Sequence, residues 1–199
     1  MNILSLSLSL VLFIHVLSAI ALFIAIAFEG AILLRLRSAR NIEPLRESAR
    51  ASRRLGAIYG PAFLGLLVGG MYLGFAMHIR ASWAPAALVG TLLMGIVSGV
   101  VPGRQMSRLR KALAQSEPSL ANLRGAAGSN ALVVSYGFRA GLAVGILFLM
   151  STMPSALVPS IAVLAVASIL GIFFALAFAR VSGSSSAWKS AEPEATTRS

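Results

Sequence analysis

The chain has 199 residues, 57% of them hydrophobic and only 12% charged, with a mean hydropathy of +0.85 and no cysteine. That balance excludes an ordinary soluble domain and leaves room for one bundle of membrane helices; the missing cysteines exclude disulfides, thiolate metal sites and cysteine nucleophiles. A net charge of +11 on a soluble fold would suggest nucleic acid, but here the basic residues lie between apolar runs, so no nucleic-acid partner is expected.

The first apolar run goes from Leu8 to Leu36, interrupted only by His15, Ser18, Glu29, Gly30 and Arg35 besides its opening serine. A bilayer core about 30 Å thick takes about 20 residues at about 1.5 Å of rise each, so this run can span a membrane. Ala25-Ile26-Ala27 resembles a signal-peptide cleavage site, but no basic residue precedes the run and the basic cluster follows it, so an uncleaved span is expected.

The second run, Leu55 to Met77, carries Gly56/Gly60, Gly65/Gly69 and Gly70/Gly74, each pair four residues apart. In water so many helical glycines would each cost nearly ~1 kcal/mol, whereas in lipid they give a neighbouring helix close access to the backbone. A short turn from His78 to Ala84, with Trp83 at an interfacial position, leads to a third run, Pro85 to Val101, stopping at Pro102-Gly103-Arg104.

Between Arg104 and Asn130, Met106, Leu109 and Leu113 fall at i, i+3 and i+7 among basic residues. Two readings fit equally: a helix lying at the headgroups, or a cytoplasmic extension of a membrane helix. Ser116-Glu117-Pro118 reads as a fresh helix start. The fourth run holds Arg139 and a row of Gly137, Gly141 and Gly145; a span from about Ser135 to Met153 keeps Arg139 near the inner boundary. The fifth run, Ser160 to Ala179, ends at Arg180, and 181–199 is expected to be a disordered cytoplasmic tail after a single membrane domain over 1–180.

The predicted fold is thus all-α, a polytopic bundle of five transmembrane helices at about 9–31, 56–77, 85–102, 134–153 and 159–179. Fifteen of the seventeen basic residues fall in the first, third and C-terminal polar segments, while the opposite connections hold only Arg80. By the positive-inside rule those three segments are cytoplasmic and the N-terminus is outside. Arg35, Arg37, Arg53, Arg54, Arg104 and Arg108 are then placed to meet the anionic headgroups of membrane lipids.

Chemistry has few residues to work with: no Cys, no Asp, two His, and of the six Glu only Glu29 near a span. No metalloprotease, phosphate-loop, nucleophile-elbow or dinucleotide motif is present, so no enzyme is expected and no catalytic residue is assigned. His15 reads either as a packing residue bonded to a neighbouring helix or as a ligand or proton carrier. A haem or copper site shared by His15 and His78 is a minor reading. The boundaries put His15 ~5 to 9 Å deeper than His78. Two imidazole nitrogens on one iron lie only ~4 Å apart, at metal–nitrogen distances of about 2 Å. Glu29 and Arg139 both fall about one turn inside the inner boundary, either as an ion pair between the first and fourth helices or each reaching the headgroups separately.

The segments FIHVLSAIALFIAIAFEGAILLRLRSAR, GPAFLGLLVGGMYL and RAGLAVGILFLMSTMP together resemble a group of uncharacterised small bacterial integral membrane proteins of domain-of-unknown-function type. The first helix is distantly similar to those of copper-resistance membrane proteins that carry an early histidine, although further ligands expected of that group are missing. The resemblance implies a helical bundle in the bacterial inner membrane and no particular reaction. The many glycine rows beside the thin catalytic inventory give the expectation of a non-enzymatic packing or partner protein, with a homo-oligomer as one form. A haem- or metal-binding protein using His15 and a small-solute or proton transporter are the alternatives.

Overall fold

The computed structural model describes residues 3–39, 41–77, 82–114 and 129–188. Five helices make up the described chain: α1 (Ile3–Ser38), α2 (Ile42–Ala76), α3 (Trp83–Leu113), α4 (Asn130–Thr152) and α5 (Leu157–Trp188). Each is long and apolar enough to cross a membrane. Their outward faces are apolar, as lipid requires; Phe75, Val158 and Phe173 are 77%, 77% and 64% exposed.

The helices differ from the expected spans chiefly at their basic ends. The 36 residues of α1, 35 of α2 and 31 of α3 correspond to about 54, 52 and 46 Å, well beyond a hydrocarbon core of about 30 Å. What the sequence suggested as a long first connection is mostly helix, since α1 continues to Ser38 and α2 begins at Ile42. The start of α2 has Asn41 extended before it, Glu43 and Pro44 in its first turn, and Ile42, Leu45 and Ala49 along one face. Nor does Pro102 stop α3, which runs on to Leu113; of the two readings of 104–113, the helical extension is the one observed. Met106 and Leu109 bury against Leu36, Ala39, Leu45 and Ala49, forming a small second core at the basic end. Pro102 has no N–H to give the Ser98 carbonyl, a loss tolerated in membrane helices where neighbouring groups compensate.

Packing divides the bundle. α1 lies along α2, α4 lies along α5, and α3 rests on α4, whereas α2 and α3 touch only sparingly. The α4–α5 seam is backbone against backbone: a Cβ on Gly137 would lie 2.6 Å from the Gly171 carbonyl oxygen, and one on Gly141 would overlap the Ala167 carbonyl. Gly145 meets Ala167 Cβ and Leu164 on the same seam. On the α1–α2 seam Gly65 accommodates Ser18 and Gly69 accommodates His15. α4 stops where Met153 turns left-handed (φ 46°) with its N–H on the Leu149 carbonyl at 2.9 Å, and Pro154 follows. α5 continues to Trp188, eight residues into the segment expected to be a disordered tail; 189–199 lies outside the described residues.

Gly141→Ala forces a methyl into a backbone seam and is expected to destabilise the bundle by ~1 to 3 kcal/mol. Gly74→Ala, with nothing within 4 Å of the added carbon, should be neutral or slightly stabilising. Thermal unfolding of the two variants in one detergent measures the difference.

Candidate functional site: a groove beside an intramembrane ion pair

An arginine inside the bilayer has no water to satisfy five donors, so its neighbours must. Arg139 is 2% exposed and is held by three helices besides its own. From α1, Glu29 receives both guanidinium ends, Nη1 to Oε2 at 2.8 Å and Nη2 to Oε1 at 2.5 Å. On its own helix, Nε donates to the Ser135 carbonyl at 3.2 Å; from α3, Ser98 Oγ accepts from Nη1 at 3.3 Å. Ser98 spends its single proton on the Met94 carbonyl at 2.6 Å, so Tyr59 of α2, 2.6 Å away, is the donor to Ser98. One arginine therefore ties α1, α2 and α3 to α4.

Local sequence explains why the two charges meet. Glu29 is six residues short of Arg35, hence about 9 Å inside the basic boundary; Arg139 is fourteen residues from the left-handed end of α4, about 21 Å, which leaves about 9 Å of a 30 Å core. Equal depth and a two-pronged fork make the pair geometrically sound. Of the two sequence alternatives for Glu29 and Arg139, the ion pair is the one formed. Gly30 keeps the next position small: a Cβ there would sit 2.6 Å from the Tyr136 hydroxyl.

Beside the pair, where α2 and α3 stand apart, lies a groove of about 700 Å³. Its apolar end is set by Phe63 and Leu92, its basic end by Ser52, Arg53 and Arg110. Glu29, Tyr59, Ser98 and Arg139 form a polar band between them. Glu29 remains 22% exposed there. Gly56, Gly60, Gly99 and Gly103 line this groove with nothing within 4 Å of where a Cβ would be, so these glycines do not serve helix contacts among the described residues. Gly95, by contrast, seats the Phe63 ring.

The other sequence candidates lie elsewhere. His15 is buried at 8% exposure about 21 Å along α1 from Glu29, its ring closed in by Gly69 and Gly70 of α2 and its Nδ1 without a hydrogen bond. His78 falls outside the described residues. Among the described residues no three His, Cys, Asp or Glu side chains come close enough to hold a metal ion. Arg35, Arg37, Arg53, Arg54, Arg104 and Arg108 are all exposed at the basic ends of α1, α2 and α3, but only Arg53 of these borders the groove. Tyr59, Ser98 and Arg110 were not singled out in the sequence. The sequence signal for Tyr59 and Ser98 is that each is a polar residue within a run dominated by apolar ones. No protein-family description, no curated protein and no solved structure matches the chain.

Removing either member of the pair leaves a buried charge uncompensated. Glu29→Gln and Arg139→Gln are each expected to destabilise the bundle, by ~3 to 5 kcal/mol at the upper end and less in so far as Glu29 retains solvent. The double variant should cost less than the two losses together by at least ~0.5 kcal/mol. Additive losses in a thermodynamic cycle would mean that the contact carries no energy.

Proposed function

We propose that this is a multi-pass protein of the bacterial inner membrane that binds a ligand non-covalently in the groove between α2 and α3, and that it is not an enzyme. The observation carrying this reading is the groove itself: about 700 Å³, within the range of ligand pockets, mostly apolar, with a few convergent polar groups. Of its charged lining side chains, Glu29 and Arg139 are bound to each other in a hydrogen-bonded network, which suits a structural wall better than a proton donor or nucleophile. The bacterial inner-membrane assignment rests on the family resemblance, and the orientation, N-terminus outside and C-terminus cytoplasmic, on the distribution of basic residues.

The packing-partner and homo-oligomer reading was motivated by glycine rows, and those rows are occupied inside the chain: Gly65 and Gly69 by α1, Gly137, Gly141 and Gly145 by α5. Of the open glycines, Gly56, Gly60, Gly99 and Gly103 line the groove, which favours a ligand there, while Gly74 lies outside it. For His15 the tight fit against Gly69 and Gly70 supports packing over haem or copper ligation.

Gly99→Phe tests the binding reading, because Gly99 lines the groove and has nothing within 4 Å of an added Cβ. The variant should fold with wild-type thermal stability yet lose whatever small molecule the purified wild-type protein carries, as read by mass spectrometry of the extracted complex. A wild-type protein that carries and binds no small molecule would overturn the proposal. The orientation is read by cysteine scanning on this cysteine-free chain. Ser38→Cys should react with a membrane-impermeant maleimide only after permeabilisation, and Ser155→Cys in intact cells; the reverse pattern would invert the topology.

A further inference from the structure

Resting on that binding reading, we infer that the groove is a site for one anionic glycerophospholipid of the leaflet at the basic helix ends, with its phosphate between Arg53 and Arg110 and an acyl chain running to Phe63. The polarity of the groove is graded along the membrane normal in the order of such a lipid. Arg53, Ser52 and Arg110 lie at one end, the polar band of Tyr59, Ser98 and Glu29 follows, and Phe63 and Leu92 lie at the other. From Arg53 to Phe63 is ten residues of α2, about 15 Å, which matches the hydrocarbon depth of one leaflet, half of a core of about 30 Å.

Access fits the same occupant. Gly56, Gly99 and Gly103 are exposed and Ile96 is 61% exposed, so the groove opens sideways at bilayer depth, where a lipid arrives without leaving the membrane. The open glycines give the chain width for a methylene chain, which needs contact and no hydrogen bonds. Charge complementarity picks the headgroup. Glu29 is already bonded to Arg139, so among the described residues of the lining the cations without a carboxylate partner are Arg53 and Arg110. Of Arg110 the Nε alone is engaged, by the Met106 carbonyl, and basic pockets between membrane helices bind anionic lipid heads.

The test is binding of phosphatidylglycerol to the full chain in phosphatidylcholine nanodiscs, followed by native mass spectrometry of the released complex. One phosphatidylglycerol should remain bound per chain. Arg53→Gln and Arg110→Gln should each weaken its retention about fivefold. Arg54→Gln with Arg108→Gln, exposed at the same helix ends but outside the groove, should change it less than about twofold. Gly99→Phe should abolish it. Equal loss in the Arg54/Arg108 pair would reduce the effect to diffuse surface charge and overturn the inference. So would displacement of the lipid by soluble glycerol phosphate at equal concentration, which would make the site one for a water-borne anion. In that second case a ligand still binds the groove, so the reading of a binding protein survives while its lipid identity fails.

Discussion

The Arg139 guanidinium sets the terms for the bundle. A charged group placed at that depth without partners would cost ~3 kcal/mol or more, and in the absence of water the protein must supply acceptors in the plane of the fork. Glu29 supplies two, the Ser135 carbonyl one and Ser98 a fourth, itself supported by Tyr59. Because these acceptors belong to different helices, satisfying the arginine fixes the height of α1 against α4 and the rotation of α3 about its axis. An interior pair of this kind adds little net stability over an apolar equivalent; what it adds is a penalty on every arrangement in which α1 slips along α4. Its value is in specifying position.

Apolar packing then distributes the helices unequally. Where glycine meets glycine, as at Gly137 and Gly171, two backbones close to contact and leave no space. Where a large ring faces a glycine, as Phe63 faces Gly95, the helices are held apart by the width of the ring, and the glycines one and two turns farther along find nothing opposite them. The groove between α2 and α3 is therefore a consequence of where side chains occur along the α2–α3 face: Phe63 at one end, glycine through the middle, arginine at the other.

Apolar runs made the number of membrane helices, their order and the depth of Glu29 and Arg139 legible, because a bilayer converts length and hydropathy directly into position. Helix ends were less legible. Ile42, Leu45 and Ala49 lie at helical spacing among Arg46, Glu47 and Arg50, but a stretch so rich in arginine reads as a solvated connection. Only its packing on Met106 and Leu109 shows why the helix persists. Pro102 misled in a related way: its cost is a single backbone hydrogen bond, which a membrane helix absorbs. The glycines were recognised but not sorted, since spacing alone cannot distinguish Gly69, which is filled by His15, from Gly60, which is open. That distinction depends on what stands opposite, and it is the distinction that defines the groove.

The Phe63 ring also gives the groove its direction. It fills the space above Gly95, lies nearly parallel to Tyr59 one turn away with centroids 6.4 Å apart, and sits at the apolar limit of the cavity with Leu92. The two rings divide the labour by polarity: the Tyr59 hydroxyl is spent on Ser98 and hence on the arginine network, while Phe63 presents only carbon. From the basic end the lining thus passes from charge to a narrow band of hydrogen-bonded polar groups and then to hydrocarbon at Phe63 and Leu92. Passage to the opposite face would require the Phe63 ring to leave its seat on Gly95, and with it the stack on Tyr59. The same side chain that holds α2 and α3 apart thereby also sets the apolar limit of the space between them.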